Sequence, residues 1–329
     1  MKYSKPGADD GLVRTALKLQ VADMTSRPDI FRQRVVAFDE PLAKAKGGKV
    51  RAVHRARVAS RRLREILPVM EADASECRRA LDRLRQAARQ LGRLRDLDVS
   101  LQLLDDVEEA ARGPSPGVRT LRKRLAQTRQ DALDKARRRG WGRKLHRTAK
   151  LLTRLAESLS DGAPSTSRRW RWTLGARGAH RAQALLAAMD DAGQKLEPEA
   201  IHNVRKALKR LRYAIELAEE AAGTGVTADL FWLTSAQSRL GRLHDRHVLM
   251  ALVAEVRQSL RSRDRQARRD LRALSANLDA ECRVLHAAYL GSRAALRDLC
   301  RRVLSQTEGV GAAGARAGVP ERLGEVRLA

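Results

Sequence analysis

Apolar residues recur at intervals of three and four along almost the whole chain, which is the spacing of amphipathic helices rather than strands. The pattern predicts a short helix over residues 12–24, and a second over 29–45 that opens after Pro28 and stops before Gly47 and Gly48. A long helix over 50–72 should be kinked or ended by Pro68. A helix over 75–111 follows, then a loop over 112–117 carrying two glycines and two prolines. Helical periodicity resumes over 118–139 and, past Gly140 and Gly142, continues to 160. Residues 161–173, rich in Pro, Ser, Gly and Thr, make the best boundary between halves. The plan then repeats: a helix over 178–193, one opened by Glu197, Pro198 and Glu199 and closed by Gly223 and Gly225, one over 229–257, and a charged helix to 307. The proline and acidic pair suit a first helical turn. Residues 309–329 are Gly/Ala-rich with little periodicity and are expected to be a disordered tail.

The repetition extends to particular residues. His54, Arg57, Arg61 and Arg64 share their spacing with His202, Arg205, Lys209 and Arg212, 148 positions later. Leu91-Gly92-Arg93-Leu94-Arg95-Asp96 matches Leu240-Gly241-Arg242-Leu243-His244-Asp245 at an offset of 149. Two matches at nearly one offset mark an internal duplication. The expected architecture is an all-α domain over 10–305, with halves of about 10–160 and 174–305, each a four-helix bundle.

At about 100° and 1.5 Å per residue, each histidine-led set falls within roughly 80° of arc and spans about 15 Å. On the first helix, Val53, Ala56, Ala59, Leu63, Ile66, Leu67 and Met70 take the opposite arc, so the basic set faces away from its own core. A rigid row of cations that long suits an extended polyanion better than one small ligand. Each histidine lies near a helix N-terminus, where backbone N–H groups and the helix dipole favour an anion. The next helix adds Arg85, Arg89 and Arg93 beside Asp96; the second half keeps Arg242 and Asp245 but has Thr234 and Ser238 in place of the first two arginines. Asp96 and Asp245 are expected to orient neighbouring arginines, and Gly92 and Gly241 to let helices approach closely.

Composition sharpens this picture. Of 67 basic residues 54 are Arg, and the formal net charge is +28, which opposes compaction unless the cations are spread out or meet an anion. Arginine offers a planar fork suited to phosphate. Charge alone also fits a nucleic-acid-binding protein, the alternative reading; aromatics at 3% argue against base stacking on single strands. Apolar residues at 43% suffice for a real core. Cys77, Cys282 and Cys300 show no metal-ligand spacing and read as buried thiols of a reducing compartment. No apolar run is long enough to span a membrane, and MKYSKPGADDG lacks the apolar core of a signal peptide, so a cytoplasmic location is expected. Phosphate-loop, dinucleotide, metalloprotease and nucleophile-elbow motifs are missing, and no catalytic, cofactor or metal residues are expected. Asp98, Asp105-Asp106 and Asp190-Asp191 read as surface charges, since adjacent helical residues diverge by about 100°. Arg168-Arg169-Trp170-Arg171-Trp172 reads as a linker anchored on the bundles, with stacking on a base as the alternative.

The segments VHRARVASRRLREIL and IHNVRKALKRLRYAIEL, with LGRLRDLDV and LGRLHDRHV after them, resemble the CHAD domain, the conserved-histidine α-helical domain. The resemblance implies two pseudo-symmetric bundles around a basic channel that binds inorganic polyphosphate, in some members on polyphosphate granules. It implies phosphate contacts from His54, Arg57, Arg61, Arg64, His202, Arg205, Lys209 and Arg212, supported by Arg62, Arg210, Arg93 and Arg242. The ExExK motif of the hydrolytic domain found in many members has no counterpart here, so binding without catalysis is expected. The two histidine-led rows should face one channel, with Arg85 and Arg89 making the first half its stronger wall. His244 and His247 stand where the first half has Arg95 and Asp98, a departure that weakens the expected part of the second half.

Overall fold

The computed structural model describes residues 26–315, apart from 71, 112 and 160–167. The helix expected over 12–24 and the final residues of the tail lie outside this range. Among the described residues every regular element is helical: α1 Arg27–Asp39, α2 Leu42–Ala45, α3 Val50–Ile66, α4 Ala74–Ala110, α5 Pro116–Arg138, α6 Trp141–Glu157, α7 Arg168–Ala192, α8 Pro198–Ala222, α9 Ala228–Ser259 and α10 Arg265–Ala315.

Local chemistry sets the helix ends. Ser26, Asp73, Ser115 and Thr227 cap helices by accepting from the backbone N–H three residues on. Three expected boundaries move. The helix over 29–45 divides into α1 and α2 because Pro41 cannot continue the hydrogen-bond ladder. The helix over 50–72 ends at Ile66, and Pro68 sits in a single 3-10 turn, Leu67–Val69. Helix α7 starts at Arg168, so the arginine-tryptophan segment is helical rather than linker. Trp170 does anchor it: the indole is 2% exposed in the first half's core, with the Arg27 guanidinium 5.3 Å from its ring. Helix α10 also runs to Ala315, into the stretch expected to be disordered, where alanine favours helix.

The duplication is visible in the topology, with α3 and α4 corresponding to α8 and α9. At the offset of 149, Arg265 is the counterpart of Pro116, and each opens the next helix. The first half then breaks at Gly140, whose left-handed φ of 66° divides α5 from α6. Its counterpart is Tyr289, 2% exposed, and the second half carries one continuous helix, α10, through that point.

Three cores result. One joins α1–α4 and α6 with Trp170 and Leu174 of α7. A second joins α7–α10 through residues such as Leu185, Leu208, Leu240 and Leu296. The third is built from the far ends of two helical hairpins: Leu97 and Leu104 of α4, Leu121 and Leu125 of α5, Leu249 and Val253 of α9, Leu271 and Leu278 of α10. The α4–α5 and α9–α10 hairpins therefore project together beyond α3 and α8 as one four-helix extension.

Asp98 belongs to this join and corrects the expectation of a surface charge. It is 6% exposed and accepts from Arg129 Nε at 2.5 Å, while Arg129 Nη2 donates to the Gly48 carbonyl at 2.6 Å. Asp98→Asn keeps an acceptor but loses the charge, and should cost about 1–2 kcal/mol in urea denaturation. No change in midpoint would show that the pair contributes nothing to stability.

Candidate functional site

Helix α3 packs on α4 and α8 on α9; α3 meets α8, and α4 meets α9. The face of α3 that carries no core residues is therefore turned toward its duplicate, and most of its cations are not in open solvent. They divide into a neutralised set and an uncompensated set.

The neutralised set holds the halves together. Glu65 of α3, 5% exposed, accepts from Arg177 Nε at 2.6 Å and Arg181 Nε at 3.2 Å of α7. Glu216 of α8 takes Arg62 at 2.5 Å and Arg212 at 2.9 Å. Arg212 also donates to Gln237 at 2.9 Å and lies 4.1 Å from the centre of the Tyr213 ring. Arg34 reaches Glu220 at 2.5 Å and the Arg62 carbonyl at 3.1 Å. Arg62 and Arg212, both expected to contact phosphate, are thus committed to structural ion pairs.

The uncompensated set lies at the centre. Arg57 and Arg61 of α3 meet Arg205 and Lys209 of α8 closely enough for each to bear on another's ionisation. Among the described residues, their one ion pair within 4 Å is Arg57 with Asp96 of α4, at 3.8 Å. Burial, then Arg61, hold Arg57 down to about 10 despite Asp96. Burial also lowers Arg205, whose Nε has no hydrogen-bond partner. Lys209 is 9% exposed, and burial with Arg61, Arg205 and Arg57 around it drops the ammonium to about 6. Asp245 of α9 is pushed up by burial, which outweighs Arg205.

His202 joins the cluster in a way its spacing did not show. Its Nδ1 lies 3.2 Å from His244 Nδ1, and the rings stack at 4.5 Å. Burial and nearby Lys206 lower His202; burial and Arg205 press His244 down to about 3. His244, the departure from the duplicated pattern, is thus a member of the site. Tyr213, 5% exposed, bears on both Arg57 and Arg205 and was not anticipated, although it is one of three tyrosines in the chain and adjoins Arg212.

Gly92 has a different role from the one expected. A Cβ there would collide with Arg57 Nη1, so the glycine makes room for a guanidinium rather than a neighbouring helix. At Gly241 nothing lies within 4 Å, and the space is open.

At the rim, Arg64 is lowered by burial, then by Arg85 and Arg210, and adjoins the centre through Arg61. Arg85 also pairs with Asp82 at 2.8 Å. His54, Arg89, Arg93 and Arg242 stay exposed on α3, α4 and α9. The rows thus converge, with two central cations from each half, and the surplus of the first half is confined to the rim. Chemically the site can attract and desolvate an anion. Among the described residues no three His, Cys, Asp or Glu side chains gather to hold a metal ion.

The helix order, the duplicated helix pairs and the cations enclosed between them define an all-α protein of two pseudo-symmetric halves. The chain belongs to the CHAD domain family, whose model matches residues 30–254. Among solved structures it is similar to PptA from Streptomyces chartreusis, with a TM-score of 0.63 and 20% identity over 81% of this chain and 97% of that one. It is also similar to the CHAD domain from the plant Ricinus communis, with a TM-score of 0.60 and 21% identity over 85% of this chain and 95% of that one. These likenesses establish the fold. No curated protein matches the chain.

Proposed function

We propose that this protein binds inorganic polyphosphate along the α3–α8 seam, in the cytoplasm and on polyphosphate granules, and does not hydrolyse it. The observation that carries the reading is the cluster of Arg57, Arg61, Arg205 and Lys209, four cations from two helices with Asp96 as the one carboxylate within 4 Å, among the described residues. Grouping cations out of water costs free energy in the empty protein, and an entering polyanion returns it. Family membership supports phosphate as the anion. A thin chain without bases or sugars can reach half-buried cations, whereas a duplex presents its phosphates on a broad surface. Among the described residues no helix is long and apolar enough to cross a membrane.

The test is retention of long-chain polyphosphate by the purified protein across a salt series, with duplex DNA and RNA as competitors at equal phosphate concentration. Affinity should fall steeply with salt as counterion release is lost. Displacement by nucleic acid at equal phosphate would overturn the reading in favour of nucleic-acid binding. Phosphate release during incubation would overturn the non-hydrolytic part.

The two duplicated glycines give a matched comparison. Gly92→Ala displaces the tip of Arg57 and should weaken polyphosphate binding several-fold. Gly241→Ala meets open space, should leave binding unchanged and should stabilise α9 by about 0.5–1 kcal/mol. Equal binding by both variants would detach Arg57 from the ligand.

A further inference from the structure

The exposed end of the α9–α10 hairpin carries a second basic surface, remote from the central cluster. Residues 257–272 hold seven arginines and two aspartates. Arg257 lies 13 residues beyond His244 on α9, about 20 Å along the helix. Arg265, Arg268, Arg269 and Arg272 fall within about 100° of arc and span about 10 Å. Arg257, Gln258, Arg268 and Arg272 line a concavity of about 180 Å³.

These charges are presented rather than neutralised. Asp264 accepts from the Arg261 backbone N–H at 3.0 Å. Asp270 is turned to α5, where it accepts from the Gly117 N–H at 2.9 Å, and to Gln266 at 2.7 Å. Arg268 is fixed by the carbonyls of Leu260 and Arg261. Among the described residues Arg257, Arg265, Arg269 and Arg272 have no carboxylate within 4 Å.

The duplication supplies an internal control. At the same offset of 149, Glu108 stands in place of Arg257, Pro116 in place of Arg265 and Thr120 in place of Arg269, while Arg119 and Lys123 keep the charge of Arg268 and Arg272. There Arg122 is held by Glu108 and Asp105, each at 2.7 Å. The first half builds the same hairpin with two cations in place of the row of four, so Arg265 and Arg269 are not required by the fold.

We propose that the tip of the α9–α10 hairpin is a second polyphosphate-binding site, which makes the protein bivalent for long chains. The inference rests on the proposed function in taking the same ligand. Arginine forks and a small concavity, with no aromatic side chain among the arginines, suit bare phosphate groups rather than stacked bases. Helix α9 links the two sites, with His244 at one and Arg257 at the other about 20 Å along it, so one long chain can engage both or two chains be held together.

The experiment counts tripolyphosphate sites by equilibrium dialysis at low salt, using the full chain. The wild type should bind two per chain. Arg265→Glu, Arg269→Glu and Arg272→Glu together should bind one and melt at the wild-type temperature, since all three side chains are exposed. Arg57→Met with Arg205→Met should also bind one, at the tip. Long-chain affinity of the tip variant should fall at least tenfold. A single wild-type site that survives in the tip variant overturns the inference and leaves the proposed function standing. A single site lost only in the tip variant supports the inference and overturns the central site. Unchanged tripolyphosphate binding with lost duplex DNA binding in the tip variant overturns the inference, assigning the surface to nucleic acid.

Discussion

Replacing Arg57 and Arg205 together by Met is expected to lower long-chain polyphosphate affinity at least 100-fold while raising the urea midpoint. The two effects have one cause. Both guanidiniums are drawn out of water into a cluster where the neighbours are also cations, so the empty protein bears their desolvation and mutual repulsion. Methionine fills similar volume without charge, and exchanges of this kind stabilise by about 1 kcal/mol or more. Each arginine lost removes charge-assisted contacts to phosphate of about 1.5–3 kcal/mol, roughly tenfold or more apiece. Opposite signs matter because a merely structural pair would lose stability and affinity together. If the double variant bound long chains as tightly as the wild type, the cluster would not be the site. If it bound weakly but also unfolded at lower urea, the cations would be holding the fold rather than waiting for an anion.

The part of the site legible in the sequence is the part that one helix determines alone. The spacing of His54, Arg57, Arg61 and Arg64 says which side of α3 they occupy, and its recurrence says that a second helix carries the same row. Neither says what those sides face. Lys209 reads as one more exposed cation until the packing of α3 against α8 encloses it. Arg62 stands next to Arg61 and carries the same charge, yet Glu216, 154 positions away, claims it. Asp98 was weighed against adjacent carboxylates, whereas its partner Arg129 is 31 residues on, across the α4–α5 hairpin. The fold class was legible because periodicity and duplication are local and repeated. Arg212 is neutralised by Glu216 four residues on, which spacing does carry, but Arg34 and Arg62 leave the uncompensated set only through long-range pairs.

Binding of long-chain polyphosphate at pH 8 is expected to take up close to one proton per central site, through Lys209. In the empty protein burial and then Arg61, Arg205 and Arg57 lower this ammonium, Asp245 opposes them, and it titrates at about 6. At pH 8 it is therefore mostly neutral. A phosphate chain against it favours the charged form and lifts the pKa back toward the ordinary lysine range. Internal phosphates stay ionised across this range and neither take nor give the proton. Affinity should accordingly fall about tenfold per pH unit above the free pKa, until the bound lysine itself titrates. His202 and His244 are also held below their ordinary value, so they can contribute on the acid side, and pH 8 separates Lys209 from them. The unbound protein has the complementary dependence. Between about 6 and the ordinary lysine value the unfolded chain binds a proton that the native state does not, so Lys209 makes stability rise with pH across that window. Calorimetry in two buffers of different ionisation enthalpy measures the uptake, and Lys209→Met should abolish it. Uptake that persists in Lys209→Met would assign the proton to another group, and a wild-type affinity independent of pH between 7 and 9 would place Lys209 outside the contact.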